Sequence, residues 1–136
     1  GFVRAAHYWA GNIMVVTIVL HMLRVFATGA YKNPRELHWV AGSFLLLLTL
    51  SFGFTGYLLP WDQKAYWATV IGTNMVGSVP VIGSFLASLV RGGAEVSGRT
   101  LLRFYSMHIL WLPFLTVVFL WMHFDMIKRT GIARSL

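Results

Sequence analysis

Cysteine is absent from this sequence of 136 residues. A chain without cysteine forms no disulfide, ligates no iron–sulfur cluster through thiolates and attaches no cofactor through a thioether. Charge is also scarce, because Asp, Glu, Lys and Arg together make up only 11% of the residues. Hydrophobic residues reach 57%, and the mean hydropathy is +0.69. These values exclude an ordinary soluble domain and indicate a bundle of membrane-spanning helices.

Three apolar stretches are long enough to cross a membrane: about Val3 to Thr28, about Leu37 to Leu59 and about Thr100 to Ile127. The segment 60–100 is too mixed in polarity to span. Its apolar and polar residues predict two short amphipathic helices that lie at the membrane interface, with Trp and Tyr side chains at headgroup level. We therefore expect an all-α membrane protein with three spans in this chain.

Acidic residues are few, with four Asp and Glu against eleven Lys and Arg, and the net charge is +7. Basic excess can indicate nucleic acid binding, but these residues lie between apolar spans rather than along one face, so we expect none. The side of the short first loop is slightly more basic and is expected to face the negative side of the membrane. Its basic residues are Arg24, Lys32, Arg35, Lys128, Arg129 and Arg134.

Four histidines recur at nearly equal spacing in two of the spans. His7 and His21 are fourteen residues apart, and His108 and His123 are fifteen apart. At about 100° and about 1.5 Å per residue, a step of fourteen returns to nearly the same helix face about 21 Å further along. The first and third spans run in the same direction, so we expect His7 opposite His108 and His21 opposite His123. Such pairs suit the irons of two stacked haems, and hydrogen bonds between helices are the alternative interpretation.

Other residues of the spans fit the same pattern. Pro113 lies between the histidines of the third span and should kink or unwind the helix, which could absorb the drift of the fifteen-residue spacing. Gly42 and Gly56 are also fourteen residues apart. A small residue at each haem level would let a macrocycle approach the backbone, although ordinary close helix packing explains such glycines equally well.

The charged residues near the histidines have two interpretations each. Arg4 and Arg24 lie about one helical turn from a histidine, so each could pair with a haem propionate or extend to the lipid headgroups. Asp125 is interpreted as a capped or paired residue near the interface rather than a proton-handling carboxylate. His38 has no partner at a haem spacing and is interpreted as interfacial.

The motifs R-x-x-H-(x13)-H-x-x-R, F-G-F-T-G-Y-L-L-P-W-D-Q and R-F-Y-S-M-H resemble the cytochrome b family, most closely its short, split b6 form. The similarity covers essentially the whole chain. It implies that residues 1–136 form the N-terminal haem-binding half of cytochrome b, with three of its four transmembrane helices. The cysteine that anchors an additional haem in that form belongs to the part outside this sequence.

The resemblance also implies roles for individual residues. His7 and His108 would ligate the iron of a low-potential b-type haem on the positive side, and His21 and His123 that of a high-potential haem on the negative side. Further residues implied to lie against the haems are Arg4, Arg24, Gly42, Gly56, Pro113 and Lys128. The quinol oxidation pocket would be lined by Phe54, Tyr57, Val70 and Ile71.

The function implied by the resemblance is that of a subunit of a quinol–cytochrome c or plastocyanin reductase, active only in the assembled complex. The expected partners are a separate C-terminal half of cytochrome b, a Rieske iron–sulfur protein and a c-type cytochrome, in a dimeric complex of a bacterial inner or thylakoid-type membrane. Quinone would be the substrate. The alternatives are a di-haem membrane anchor of a dehydrogenase or hydrogenase, and a haem-free structural subunit.

Overall fold

The computed structural model describes residues 1–133, so Arg134, one of the basic residues considered above, lies outside the described residues. All regular elements within this range are helical, which confirms the all-α prediction. They are α1 (Phe2–Ala27), α2 (Glu36–Leu58), α3 (Gln63–Gly77), α4 (Gly83–Arg91), α5 (Gly98–Ser106), a π-helical turn (Met107–Trp111) and α6 (Leu112–Thr130).

Three helices in the described part of the chain are long and apolar enough to cross a membrane, as predicted. They are Phe2–Ala27, Glu36–Leu58 and Gly98–Thr130, and each contains a stretch of 18 residues with a mean hydropathy of 1.7. The third is made of α5, the π turn and α6, which follow one another without a break. It begins two residues before and ends three residues after the expected bounds. Helix α1 buries none of its side chains, so its apolar surface is suited to lipid or to partners.

The chain divides into two units, and the described part of the first comprises residues 1–53 and 113–133. Here the start of α2 is tied to the end of α6. The Arg35 guanidinium donates to the carbonyl oxygens of Gly131 and Ile132 at 3.5 and 3.4 Å. The rings of Phe44 and Phe119 pack with centroids 5.4 Å apart. These contacts set α2 and α6 side by side.

The second unit comprises residues 54–112 and contains the two short helices predicted between the second and third spans. Helix α3 begins where the Asp62 carboxylate accepts a hydrogen bond from the amide of Ala65 at 2.8 Å, an N-cap contact. Arg91 at the end of α4 donates to Thr73 and Asn74 of α3, both at 2.7 Å. The two helices are therefore fastened to each other, while their position at the membrane interface remains a prediction.

The distortion expected near Pro113 is the π turn just before it. The amide of Leu112 donates to the carbonyl of Met107, five residues back instead of four. Proline has no N–H to bond the carbonyl of Ile109, which would be its partner in an α-helix. The helix therefore widens by one residue within this turn, and His108 lies inside it.

Candidate functional site

A cavity of about 160 Å³ in the first unit brings together several of the residues selected from the sequence. His21 and Arg24 of α1, Gly42 of α2 and His123 of α6 all line it. Two of the predicted iron ligands, one predicted propionate contact and one predicted glycine thus share a single cavity. Of these residues, His21 and His123 are the two predicted for the high-potential haem, and that assignment remains a prediction.

Gly42 forms the part of the wall closest to His123. A Cβ atom at residue 42 would lie 3.6 Å from Cε1 of His123 and 3.8 Å from Sδ of Met22, which are ordinary contact distances. Nδ1 of His123 is buried and has no hydrogen-bond partner among the described residues. A buried imidazole nitrogen without a hydrogen-bond partner carries a desolvation cost.

His38 lines the same cavity, and sequence analysis did not anticipate this. Its Nε2 lies 2.9 Å from Oγ1 of Thr130, and its ring meets that of His123 edge-on with centroids 6.3 Å apart. The interpretation of His38 as interfacial rested on its lack of a haem spacing. Only the packing of α2 against α6 reveals the contact.

The basic residues differ in their relation to this cavity. Arg24 and Arg35 line it, whereas Lys128 is exposed on α6 and its neighbour Ile127 takes the lining position. Arg4 lies exposed on the first turn of α1, away from the residues that form this cavity. Arg24 therefore lies with the histidines of the cavity. Arg35 lies there too, whereas the sequence indicated only its contribution to membrane orientation.

A second grouping lies in the second unit, around His108 on the π turn. A Cβ atom at Gly56 would come within 2.7 Å of Cε1 and 3.5 Å of Nε2 of this histidine, so only glycine leaves room for the ring. Oγ1 of the buried Thr55 lies 3.0 Å from Nδ1 of His108. Two consecutive residues of α2 therefore hold one predicted ligand, and sequence analysis identified only the glycine.

The predicted partner of His108 is His7, which lies exposed on α1 in the first unit. Since the two histidines belong to different units, their pairing remains a prediction from sequence spacing. Pro113, predicted to lie beside the same haem, follows directly after the π turn.

The four residues predicted for the quinol pocket all belong to the second unit. Phe54 packs against Gly72 of α3, where a Cβ atom would lie 2.6 Å from its ring, and meets the ring of Phe104 edge-on at 6.0 Å. Tyr57 and Ile71 are 56% and 60% exposed. Phe54 thus joins α2 to the helix that carries Val70 and Ile71, and the pocket itself remains a prediction.

Asp125 forms an ion pair with Arg129, four residues further along α6, at 2.8 Å. The pair is mostly exposed, as the interpretation of a paired residue anticipated. Such a pair contributes at most about 1 kcal/mol to stability.

Comparison with known proteins adds an independent observation. A sequence model of the family described as cytochrome b(N-terminal)/b6/petB matches residues 12–135 of this chain. The chain belongs to this family. This membership confirms the resemblance inferred from the motifs. The matched range includes both histidines of the third span and His21 of the first.

Curated relatives agree with this assignment. Cytochrome b6 of Heliobacterium mobile is 50% identical over 131 residues, which cover 96% of this chain and 62% of that protein. Cytochrome b6 of Gracilaria tenuistipitata var. liui is 51% identical over 134 residues, or 98% of this chain and 62% of that protein. The chain thus spans about 62% of the length of these relatives.

The fold also matches a solved structure. A chain of a structure described as hyperthermophilic respiratory Complex III is 28% identical and superposes with a TM-score of 0.85. The match covers 96% of this chain and 36% of that one. The helices of this protein therefore follow the fold of that chain.

Proposed function

We propose that this chain is the di-haem cytochrome b subunit of a quinol–cytochrome c or quinol–plastocyanin reductase of the b6f/bc type. In the assembled complex it would carry electrons across the membrane from a quinol oxidation site to a quinone reduction site, in a proton-translocating Q cycle. The observation that carries this proposal is the cavity where His21 and His123, on two different helices, lie beside Gly42. Family membership supports it independently.

The donor set of this cavity favours haem over a bare metal ion. Within residues 1–133, the structure has no group of three or more His, Asp or Glu side chains suited to holding a metal ion. Two imidazoles from different helices would leave the remaining iron ligands to the cofactor itself, as a porphyrin would provide. The residues present therefore fit a bis-histidine haem.

Each side chain of the cavity has a distinct task in this proposal. His21 and His123 hold the iron from α1 and α6, Gly42 leaves room beside His123, and Arg24 neutralises a propionate. When bound, the haem supplies a centre that takes up and releases one electron at a time. The apolar residues of the wall, such as Val25 and Ile127, would lower the local dielectric constant around the centre.

The second haem would be held by His7 and His108, with Gly56 against the ring of His108 and Arg4 one turn from His7. A spacing of fourteen residues separates two ligands on α1 by about 21 Å, so the two centres would share a hydrocarbon core about 30 Å thick. Pro113 and Lys128 stay as further proposed contacts to the haems. Phe54, Tyr57, Val70 and Ile71 stay as the proposed quinol contacts.

The proposed partners are a C-terminal half of cytochrome b on a separate chain, a Rieske iron–sulfur protein and a c-type cytochrome. Quinone is the proposed substrate, and the complex would be dimeric in an energy-transducing membrane. The similarity to a chain of a respiratory Complex III structure supports a place in a complex of this kind.

The proposal is tested by a reduced-minus-oxidised spectrum of the purified complex, combined with a stepwise redox titration. Two b-type components of different potential are expected. His21→Ala should remove the high-potential component and His7→Ala the low-potential one, because each variant loses an iron ligand. His38→Ala is the matched control, since His38 lines the same cavity as His21 but is not a proposed ligand.

A complex with no b-type spectrum would overturn the proposal. Loss of the high-potential component in His38→Ala but not in His21→Ala would overturn the ligand assignment. A complex that holds both haems but no Rieske protein would instead favour a di-haem anchor of a dehydrogenase or hydrogenase.

A further inference from the structure

We infer that Thr55 is a positioning residue for His108 and that its hydrogen bond lowers the midpoint potential of the haem held there. This inference rests on the proposed function, because it takes His108 as an iron ligand. Its basis is the contact of 3.0 Å between Oγ1 of Thr55 and Nδ1 of His108. Thr55 is only 4% exposed, so water competes little for this bond.

The contact bears on which ring nitrogen of His108 is available to the iron. A neutral imidazole carries one proton, and the nitrogen that carries it cannot bind a metal ion. When Nδ1 carries the proton and donates a hydrogen bond to the Thr55 hydroxyl oxygen, Nε2 carries the lone pair that can bind iron. Hydrogen bonds of this kind fix the tautomer and the ring orientation of metal-binding histidines.

Gly56 restricts the same ring from a second direction. A Cβ atom there would lie 2.7 Å from Cε1 of His108, so the ring rests against the bare backbone of α2. Thr55 and Gly56 are consecutive, and together they set both the rotation and the depth of the imidazole. The π turn, which carries His108, therefore docks on two adjacent residues of α2.

The two predicted haem sites differ in this respect. Nδ1 of His108 has a hydroxyl partner, whereas Nδ1 of His123 has no hydrogen-bond partner among the described residues. Accepting a hydrogen bond from Nδ1 makes the imidazole a more basic ligand. A more basic ligand stabilises ferric over ferrous iron, so the bond lowers the potential at His108. Thr55 thus contributes to the separation between the two haem potentials.

The test uses redox titrations of the purified complex that contains the full chain. Thr55→Val removes the hydroxyl and keeps the side-chain shape, so the midpoint potential of the low-potential component should rise while the other stays unchanged. Thr55→Ser keeps the hydroxyl and should restore the wild-type value. Thr49→Val is the matched control, because Thr49 is similarly buried on α2 and, among the described residues, its hydroxyl donates to the backbone carbonyl of Leu45, 2.9 Å away on the same helix.

Three results decide the inference. If Thr55→Val binds both haems with unchanged potentials, or if Thr49→Val shifts the low potential equally, the inference is wrong. If Thr55→Val loses the low-potential haem, the Thr55→Ser variant decides. A wild-type potential in Thr55→Ser supports the role of the hydrogen bond. Loss of the low-potential haem in Thr55→Ser as well shows that only packing matters. A wild-type complex without b-type haem would instead overturn the proposed function.

Discussion

Gly42 and Gly56 have unequal surroundings, although the sequence presents them as equivalent. At Gly42 an added Cβ atom would make an ordinary contact of 3.6 Å, whereas at Gly56 it would overlap the imidazole of His108 at 2.7 Å. Their common spacing of fourteen residues could be read from the sequence, but the closeness of the opposing ring could not.

We predict that Gly56→Ala weakens haem binding at His108. Displacing a packed ring costs about 1–3 kcal/mol, so the affinity for this haem should fall by about 5- to 150-fold. The amplitude of the low-potential component in the difference spectrum measures this loss. Gly53→Ala is the control on the same helix, because nothing lies within 4 Å of a Cβ atom there. Equal amplitudes in the two variants would disprove the steric role of Gly56.

Some residues of the candidate sites could be selected from the sequence and others could not. His21, Arg24 and His123 could each be selected from residue spacing within their own helix, since helical geometry fixes which residues share a face. Thr55 and His38 touch the predicted ligands from another helix, so their contacts depend on how far α2 is rotated about its axis. No pattern within one chain segment encodes that rotation.

The π turn is the element that explains the unequal histidine spacings. A turn that bonds five residues back takes in one more residue than an α turn. The fifteen-residue step from His108 to His123 should therefore rise and rotate much like the fourteen-residue step on α1. Pro113 predicts a distortion at this place, but a kink, a break and a widened turn can each accommodate a residue without an N–H. The hydrogen bond from the amide of Leu112 to the carbonyl of Met107 shows that the distortion is a widened turn.

We predict that a single-residue deletion is tolerated in the π turn and not beyond it. Deletion of Leu110 removes the additional residue of the turn and should leave the faces of the flanking helix close to register. Deletion of Val118 removes a residue from regular α6 and rotates His123 by about 100° relative to His108. Haem content per complex measures the result, and the first variant should keep both haems while the second loses at least one.

The π turn explanation fails if the two deletions have the same effect. Loss of both haems in each variant would mean that His108 needs the widened turn itself. Retention of both haems in each variant would mean that the register of the histidines along the third span does not matter.

At the scale of the whole molecule, composition alone was sufficient to predict the class of protein. Apolar runs of about 20 residues and few charges predict membrane-spanning helices without any knowledge of contacts. The two short helices between the spans were also predictable in number. The contact that holds the two short helices together was not predictable, because Arg91 of α4 donates to Thr73 and Asn74 of a different helix, α3.

We predict that the chain behaves as an integral membrane protein. Its three apolar helices expose most of their side chains, so removal from lipid would expose them to water at about 25 cal/mol per Å². An alkaline carbonate wash should leave the chain in the membrane pellet, and detergent should release it. Recovery in the carbonate supernatant would contradict the assignment of three spans.

Helix α1 buries none of its side chains, yet it carries two of the four proposed ligands. A haem bound by α1 would add to the stability of its place in the fold, since a ligand stabilises the state that it binds. Haem insertion would then be a step in the biogenesis of the protein as well as the loading of its cofactor. The apoprotein would present a loosely held helix to the proteases of the membrane, and the loaded protein would not.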